Sequence, residues 1–313
     1  MINKLSFLIG HIRTNKNYKK FTSENFSIKY AGKKQISLQE GNNFIYKLLQ
    51  TEKPFMVARY GAVELSILKW RIALRLGLKK EFDIANMHAI CNNAGFFPKD
   101  QKLVSQFADL MLELSREVDL LGCFYWRMED YIIKNFASQA ELVRGRGLEP
   151  WYVDIPWTRG LKGKKVLVIH PFEETIINQY KAREKLFQNK DMLPEFELKT
   201  LKAVQTIAGE KDERFNTWFE ALDYMFNQAM NIDFDVAIIG CGAYGFPLAA
   251  KLKQAGKQAI HLGGATQYLF GIKSKRAEEE NPIISSLFND SWVRPSEKER
   301  PKNAERVEGG CYW

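Results

Sequence analysis

The order of apolar and polar residues divides the chain into helical stretches separated by short apolar runs. LQEGNNFIYKLLQT (38–51) sets its apolar side chains at helical spacing, and Pro54 ends the pattern. FMVARYG (55–61) is short and almost continuously apolar, which predicts a buried strand opening into a loop. Helical spacing resumes in AVELSILKWRIAL (62–74). Residues 99–117 predict a second amphipathic helix, followed by the apolar strand VDLLGCFY (118–125). Residues 129–143 read as helix first and strand afterwards. The stretch RGRGLEPWYVDIPWTRGLKGK (144–164) is rich in Gly, Pro and Trp, and predicts a long loop or a boundary between lobes.

KVLVIHPF (165–172) is a clear buried strand, with a helix expected to about residue 187. FELKTLKAV (196–204) predicts another strand, and residues 213–230 a long amphipathic helix. Residues 234–272 then read as strand, Gly-rich turn, helix, strand, turn, helix. Strands separated by helices imply an α/β fold, Rossmann-like, with a mostly parallel sheet and helices on both faces. The expected organisation is a basic N-terminal arm (1–36), a catalytic α/β domain (37–272) and a surface-wrapping tail (273–313). That tail carries Pro282, Pro295 and Pro301 and no sustained periodicity. Its end, Gly309-Gly310-Cys311-Tyr312-Trp313, is aromatic enough to dock back on the body.

A content of 45% hydrophobic and 27% charged residues over 313 positions is globular, and long enough to bury a full core. No apolar run approaches the roughly 18 residues of a membrane span. The run from Leu5 to Gly10 is too short for a signal-peptide core, so the expected compartment is the cytoplasm. Cys91, Cys123, Cys241 and Cys311 form no CxxC pair. His11, His88, His170 and His261 form no HExxH, so a zinc enzyme is not expected and the thiols are expected to be reduced.

The net charge of +9 is uneven. Lys4, Arg13, Lys16, Lys19, Lys20, Lys29, Lys33 and Lys34 face Glu24 alone within the first 36 residues, which therefore hold most of the excess. Interleaved with Leu5, Phe7, Leu8, Ile9, Tyr18 and Phe21, these cations suit an anionic surface: lipid headgroups or a phosphorylated substrate. A solvated N-terminus fits the same residues equally well. No recognition motif accompanies the charge, so nucleic acid is not an expected partner.

Three corners carry candidate chemistry. Gly240-Cys241-Gly242-Ala243-Tyr244-Gly245 follows the strand DVAII and opens a helix, where glycines permit a tight turn and free N–H groups suit phosphate. Such a turn serves a nucleotide or sugar-nucleotide diphosphate, or NAD, or simply joins strand to helix. The ribose-binding acid that NAD requires at the end of the next strand is replaced by His261. In the second corner, Arg59-Tyr60-Gly61-Ala62-Val63-Glu64, Arg59 suits phosphate oxygens. Glu64 suits a general base, a metal ligand or a hydroxyl acceptor. A Glu64–Arg59 ion pair at a helix start is the plainer reading. The third corner, His261-Leu262-Gly263-Gly264-Ala265-Thr266-Gln267, offers a second anion-friendly turn, and His170 ends a neighbouring strand. Asn93, Trp126 and Trp157 are candidates to contact a sugar acceptor, although packing is the commoner fate of such aromatics.

In combination these corners resemble the bacterial GT-D-type glycosyltransferases of surface-polysaccharide and glycoprotein assembly. Their Arg-x-Gly-Asp-x-Glu strand end is matched by Arg59 to Glu64. Their late glycine turn and Asp-Ile-Gly-like turn are matched by Ile239 to Ala243 and by Ala259 to Gly264. The resemblance implies a nucleotide diphosphate sugar donor, a lipid-linked or polysaccharide acceptor, and an enzyme working at the inner membrane face. It implies Arg59 and Glu64 as catalytic residues. It also implies donor binding by Arg59, Gly61, residues 240–245, His261, Gly263, Gly264, Gln267 and His170. Two positions depart from the pattern: Ala62 replaces the Asp of the metal motif and His261 replaces the acid of the second turn. Either Glu64 alone therefore contacts a divalent metal (Mg or Mn) or the substrate, or no metal is used and Arg59 and the helix N-termini hold the diphosphate. An NAD(P)-linked oxidoreductase and a non-catalytic scaffold of polysaccharide assembly are the alternatives.

Overall fold

The computed structural model describes residues 2–21 and 29–313, with side chains throughout except at 14–21. A helix, α1 (Lys4–Phe21), and a hairpin of β1 (Lys29–Tyr30) and β2 (Lys33–Lys34) precede the body. The body runs α2 (Leu38–Leu49), β3 (Phe55–Arg59), α3 (Ala62–Arg75), α4 (Ile84–Asn92), α5 (Gln101–Leu114), β4 (Leu120–Cys123), α6 (Glu129–Phe136) and β5 (Glu141–Arg144). Then follow β6 (Lys165–His170), α7 (Glu173–Lys181), α8 (Arg183–Leu186), β7 (Glu197–Lys202), α9 (Trp218–Met230), β8 (Val236–Ile239), α10 (Gly245–Gln254), β9 (Gln258–His261) and α11 (Thr266–Leu269). The tail adds α12 (Lys275–Glu280) and α13 (Pro282–Ser285).

Seven strands form one sheet in the order β5-β4-β3-β9-β8-β6-β7, every neighbouring pair parallel. The short apolar runs form these strands because both faces are covered. Along β3, Phe55 and Val57 enter one core cluster while Met56 and Ala58 enter the other. Along β8, Val236 and Ile238 point to the first side and Ala237 and Ile239 to the second. That alternation is the period-2 geometry of a strand sandwiched between helical layers. The α/β reading is therefore correct.

The helix starts follow local chemistry. Ser37 and Glu40 close a reciprocal capping box on α2. Asp83, Asp100 and Thr217 cap α4, α5 and α9 through side-chain oxygens.

The segment 144–164 is not a lobe boundary. It winds through short 3-10 turns whose Leu148, Trp151, Trp157 and Leu161 pack in the same cluster as Phe55 and Val57 of the central strand. The tail does wrap the body. Ile272 and Val293 form a parallel bridge, Lys275 N–H donates to the Trp313 carbonyl at 3.2 Å, and Trp292, Val307 and Trp313 are buried. Within the arm, Lys16, Lys19 and Lys20 have side chains outside the described residues, and Glu24 lies outside them altogether.

Candidate functional site

The sheet order places β3 and β9 side by side although β3 is the first sheet strand and β9 the last. The chain winds outward from β3 to β4 and β5, and returns through β6 to β9 on the other side. Crevices of this kind open at the carboxyl ends of the strands where the winding changes direction. The carboxyl ends of β3, β9, β8 and β6 carry Arg59, His261, Gly240 and His170, and all four line one cavity of about 370 Å³. That volume suits a small organic ligand. The three corners singled out in the sequence therefore meet.

Arg59 forms the floor. Its Nη1 donates to Glu149 Oε1 at 3.0 Å, and its guanidinium lies 5.0 Å over the Phe124 ring. A side chain on Gly263 would come within 3.3 Å of the same guanidinium, and Gly263 has φ +59°. Glycine there allows the β9 turn to close on the cation. Arg59 thus pairs with Glu149 rather than with Glu64. Glu149 is buried, and burial raises its carboxyl while Arg59 draws it back down.

Glu64 sits in the first turn of α3, with Gly61 as N-cap. Its carboxylate folds back over Gly61, where any Cβ would fall 2.0 Å from Oε2. Burial raises its pKa, opposed by its own backbone N–H and by Arg59. Both carboxylates that line the cavity, Glu64 and Glu308, lie near cations, but Glu308 is paired with Arg276. With Ala62 where the motif it resembles has Asp, the side chains at this corner do not make a divalent-cation site. Among the described residues no group of three or more His, Cys, Asp or Glu is placed to hold one.

The two glycine turns pack against each other. A Cβ on Gly240 would lie 2.6 Å from both the Gly263 carbonyl oxygen and Thr266 Oγ1. A Cβ on Gly245 would enter the His261 ring. His261 is buried and neutral, its pKa lowered to about 3 by burial and then by Arg59. His170 is likewise lowered to about 3 by burial, and its Nδ1 accepts the Phe172 N–H at 3.0 Å. A lowered pKa disfavours the imidazolium form of both rings, while each neutral ring keeps one N–H to donate.

The 240–245 turn is not the open phosphate cradle that its sequence suggests. Ala243 N–H donates to the Ala94 carbonyl at 3.2 Å, Gly240 N–H to Ile169, Tyr244 N–H to Cys241 and Gly245 N–H to Gly242. The loop after α4 therefore caps this helix start, leaving Gly242 as the exposed residue of the turn. Cys241 and Ala243 are buried, and burial raises the Cys241 thiol well above its usual range. Tyr244 is stacked on Trp218 at 4.9 Å, with its hydroxyl 3.2 Å from Thr206 Oγ1.

Gln267 is also committed: its amide nitrogen reaches the carbonyls of Lys273 at 3.2 Å and Tyr312 at 3.3 Å, latching the tail. Gly61, Gly264, Asn93 and Trp126 line the cavity, Trp126 at 37% exposure. Trp157 does not. It is fully buried in the cluster that holds Phe55 and Val57, its Nε1 donating to the Leu148 carbonyl at 2.9 Å. Its expected contact with an acceptor is corrected to a core role.

Sequence reasoning missed two sets of residues. Glu149 lies in an aperiodic stretch and meets Arg59 only through the fold. Arg276, Glu308, Tyr312 and Trp313 come from the tail and wall one side of the cavity, with the Arg276 guanidinium 5.0 Å over the Tyr312 ring. The aromatic chain end was the one local signal for them.

No family model matches the chain, and no curated protein does. Two solved structures are similar to it. One is a selenomethionine-substituted structure of domain of unknown function 1792, at 14% identity and TM-score 0.45, covering 93% of this chain and 98% of that one. The other, at 13% identity and TM-score 0.46 with the same coverage, is described as a highly conserved domain of unknown function 1792 with a distinct glycosyltransferase fold.

Proposed function

We propose that this chain transfers a sugar from a nucleotide diphosphate sugar to an acceptor hydroxyl. The observation that carries the reading is the Arg59 corner: a guanidinium clamped by Glu149, closed on by the Gly263 turn, and open to a cavity that Glu64 also lines. A fixed cation beside a glycine turn stabilises negative charge as it develops on a departing diphosphate. In the transfer step the bond from the anomeric carbon to the diphosphate oxygen breaks and its electron pair stays on the diphosphate. The acceptor oxygen bonds to the anomeric carbon, and its proton passes to the Glu64 carboxylate. A raised carboxyl pKa makes Glu64 a stronger base than an ordinary glutamate. Trp126 at the rim and Asn93 are the proposed acceptor contacts.

The oxidoreductase alternative has nothing in its favour: His261 stands where the ribose acid belongs, and the Ala94 carbonyl caps the dinucleotide-type turn. Nucleotide release measured over UDP-, GDP- and CMP-linked sugars tests the proposal. Glu64→Gln abolishes transfer and leaves the unfolding temperature unchanged, and wild-type turnover in that variant removes Glu64 from the mechanism. Thermal stabilisation by NAD(H), and by none of the sugar nucleotides, would overturn the proposal as a whole.

A further inference from the structure

Two arginines line the cavity, Arg59 and Arg276, and each has an acid partner. The two pairs differ in kind. Glu149, which holds Arg59, is buried and does not line the cavity. Glu308, which holds Arg276, is itself part of the cavity wall, and the two side chains are exposed at 50% and 33%. An ion pair so open to water is weak and readily exchanged, whereas a buried one is costly to break. Arg276 is kept in place by more than its acid. Its guanidinium lies over the Tyr312 ring, its Nη2 is 3.0 Å from Cys311 Sγ, and its backbone N–H donates to the Cys311 carbonyl at 3.0 Å. Glu308 stands at φ +49°, in the left-handed region that a residue with a Cβ seldom occupies.

Both cations flank one turn. A Cβ on Gly263 would point at the Arg59 guanidinium at 3.3 Å, and a Cβ on the next residue, Gly264, would meet Tyr312 Cε1 at 3.0 Å. Arg276 covers that same tyrosine ring. Tyr268 ties the two corners together: burial raises its hydroxyl, Arg276 draws it down and Glu149 pushes it up, so the tail cation and the partner of Arg59 act on one neighbour.

We propose, resting on the donor reading above, that Arg276 is a second diphosphate-binding cation of this cavity, with Glu308 as its exchangeable counter-ion. The diphosphate spans the Gly263–Gly264 turn and sets phosphoryl oxygens on both guanidiniums. It carries more charge than one carboxylate and matches the planar guanidinium fork, so it displaces Glu308 from Arg276 and leaves Glu149 on Arg59. The tail then selects for the second phosphoryl group of the donor.

The test is calorimetric titration of the full chain with UDP, GDP, UMP, GMP and inorganic pyrophosphate, beside thermal unfolding. Arg276→Gln weakens nucleoside diphosphate and pyrophosphate binding about 10- to 100-fold and leaves the monophosphates unchanged. Glu308→Gln shifts the same affinities the opposite way, tightening them by up to about 5-fold, because the competing carboxylate is gone. Arg294→Gln breaks a tail ion pair with Glu278 that does not line the cavity, and leaves every affinity at the wild-type value. Tight binding of UDP or GDP that Arg276→Gln does not weaken overturns the second cation and leaves the donor reading standing. Equal losses of mono- and diphosphates in Arg276→Gln also overturn it, by placing Arg276 at the nucleoside. Weaker diphosphate binding in both Arg276→Gln and Glu308→Gln, with a lowered unfolding temperature, makes the pair a structural latch and overturns it as well. Pyrophosphate binding with the two opposed shifts, in a wild type that takes neither UDP nor GDP, supports the two-cation site while the donor reading falls. A wild type that binds none of the five overturns both.

Discussion

Substituting Gly240 by alanine tests the convergence of the two glycine turns at its tightest point. The added methyl would stand 2.6 Å from the Gly263 carbonyl oxygen, 2.6 Å from Thr266 Oγ1 and 2.7 Å from Thr266 Cβ. Ordinary contact begins at 3.4 Å, so the turns must part by roughly 0.8 Å. Two of these three atoms are a backbone oxygen and a Cβ, which no rotamer change can move. Overpacking a closed site costs about 1–3 kcal/mol. A loss of about 2 kcal/mol lowers Tm by about 3 °C in a chain of 313 residues, at about 2.1 cal/mol/K of unfolding entropy per residue.

The same displacement carries Gly263 away from Arg59, so affinity for a nucleoside diphosphate should fall at least about 10-fold, since one good charge-assisted contact is worth that much. Gly264→Ala is the control. Its methyl would meet Tyr312 Cε1 at 3.0 Å, a tail ring that is able to swing aside. Thermal unfolding and calorimetric titration with UDP or GDP on all three proteins decide the matter. A Gly240→Ala protein that melts and binds as wild type does would refute the reasoning, because the turns would then not be in contact.

Arg59→Lys keeps the charge but loses the planar fork, and diphosphate affinity falls about 10- to 100-fold in the same titration; unchanged affinity would take Arg59 out of the site. Trp157→Ala destabilises by about 3–5 kcal/mol in urea while the affinity of the folded fraction is unchanged; lost turnover at full stability would return Trp157 to the acceptor site. Glu129 is buried, and its carboxyl is raised by burial from 4.5 to about 7, against bonds from the Tyr30 hydroxyl and the Phe124 and Tyr125 N–H groups. The native state therefore binds more protons than the unfolded state between pH 4.5 and 7. Stability from this group is full below that window and declines by about 3 kcal/mol as pH rises through it. Urea unfolding at pH 5 and pH 8 should show this decline in wild type and a flatter response in Glu129→Gln; identical slopes would contradict it.

The sequence by itself determined the elements and the chemistry at their ends. FMVAR, KVLVIH and VAII read as buried strands because a run of apolar side chains exposed to neither solvent face has one economical solution, a sheet covered on both sides. The corners at Arg59, Gly240 and Gly263 were legible for the same local reason, since glycine and charge at the end of an apolar run mark a turn. Tertiary structure alone decided which corners meet. Strand order was not readable, because β3 pairs with β9 across about 200 residues of chain, and no local pattern records that neighbour.

The partner of Arg59 was hidden in the same way. Glu149 is 90 residues away in a stretch without periodicity, and becomes a counter-ion only when its turn packs on the sheet. Trp157 faced the core for a reason invisible from its neighbours: the side of the sheet on which its loop returns. The capping of the 240–245 turn by the Ala94 carbonyl and the tail's wall of Tyr312 and Trp313 are likewise contacts between distant segments. Hydrophobic period is a short-range property that each segment carries with it, whereas the pairing of a cation with its acid is fixed by how those segments stack.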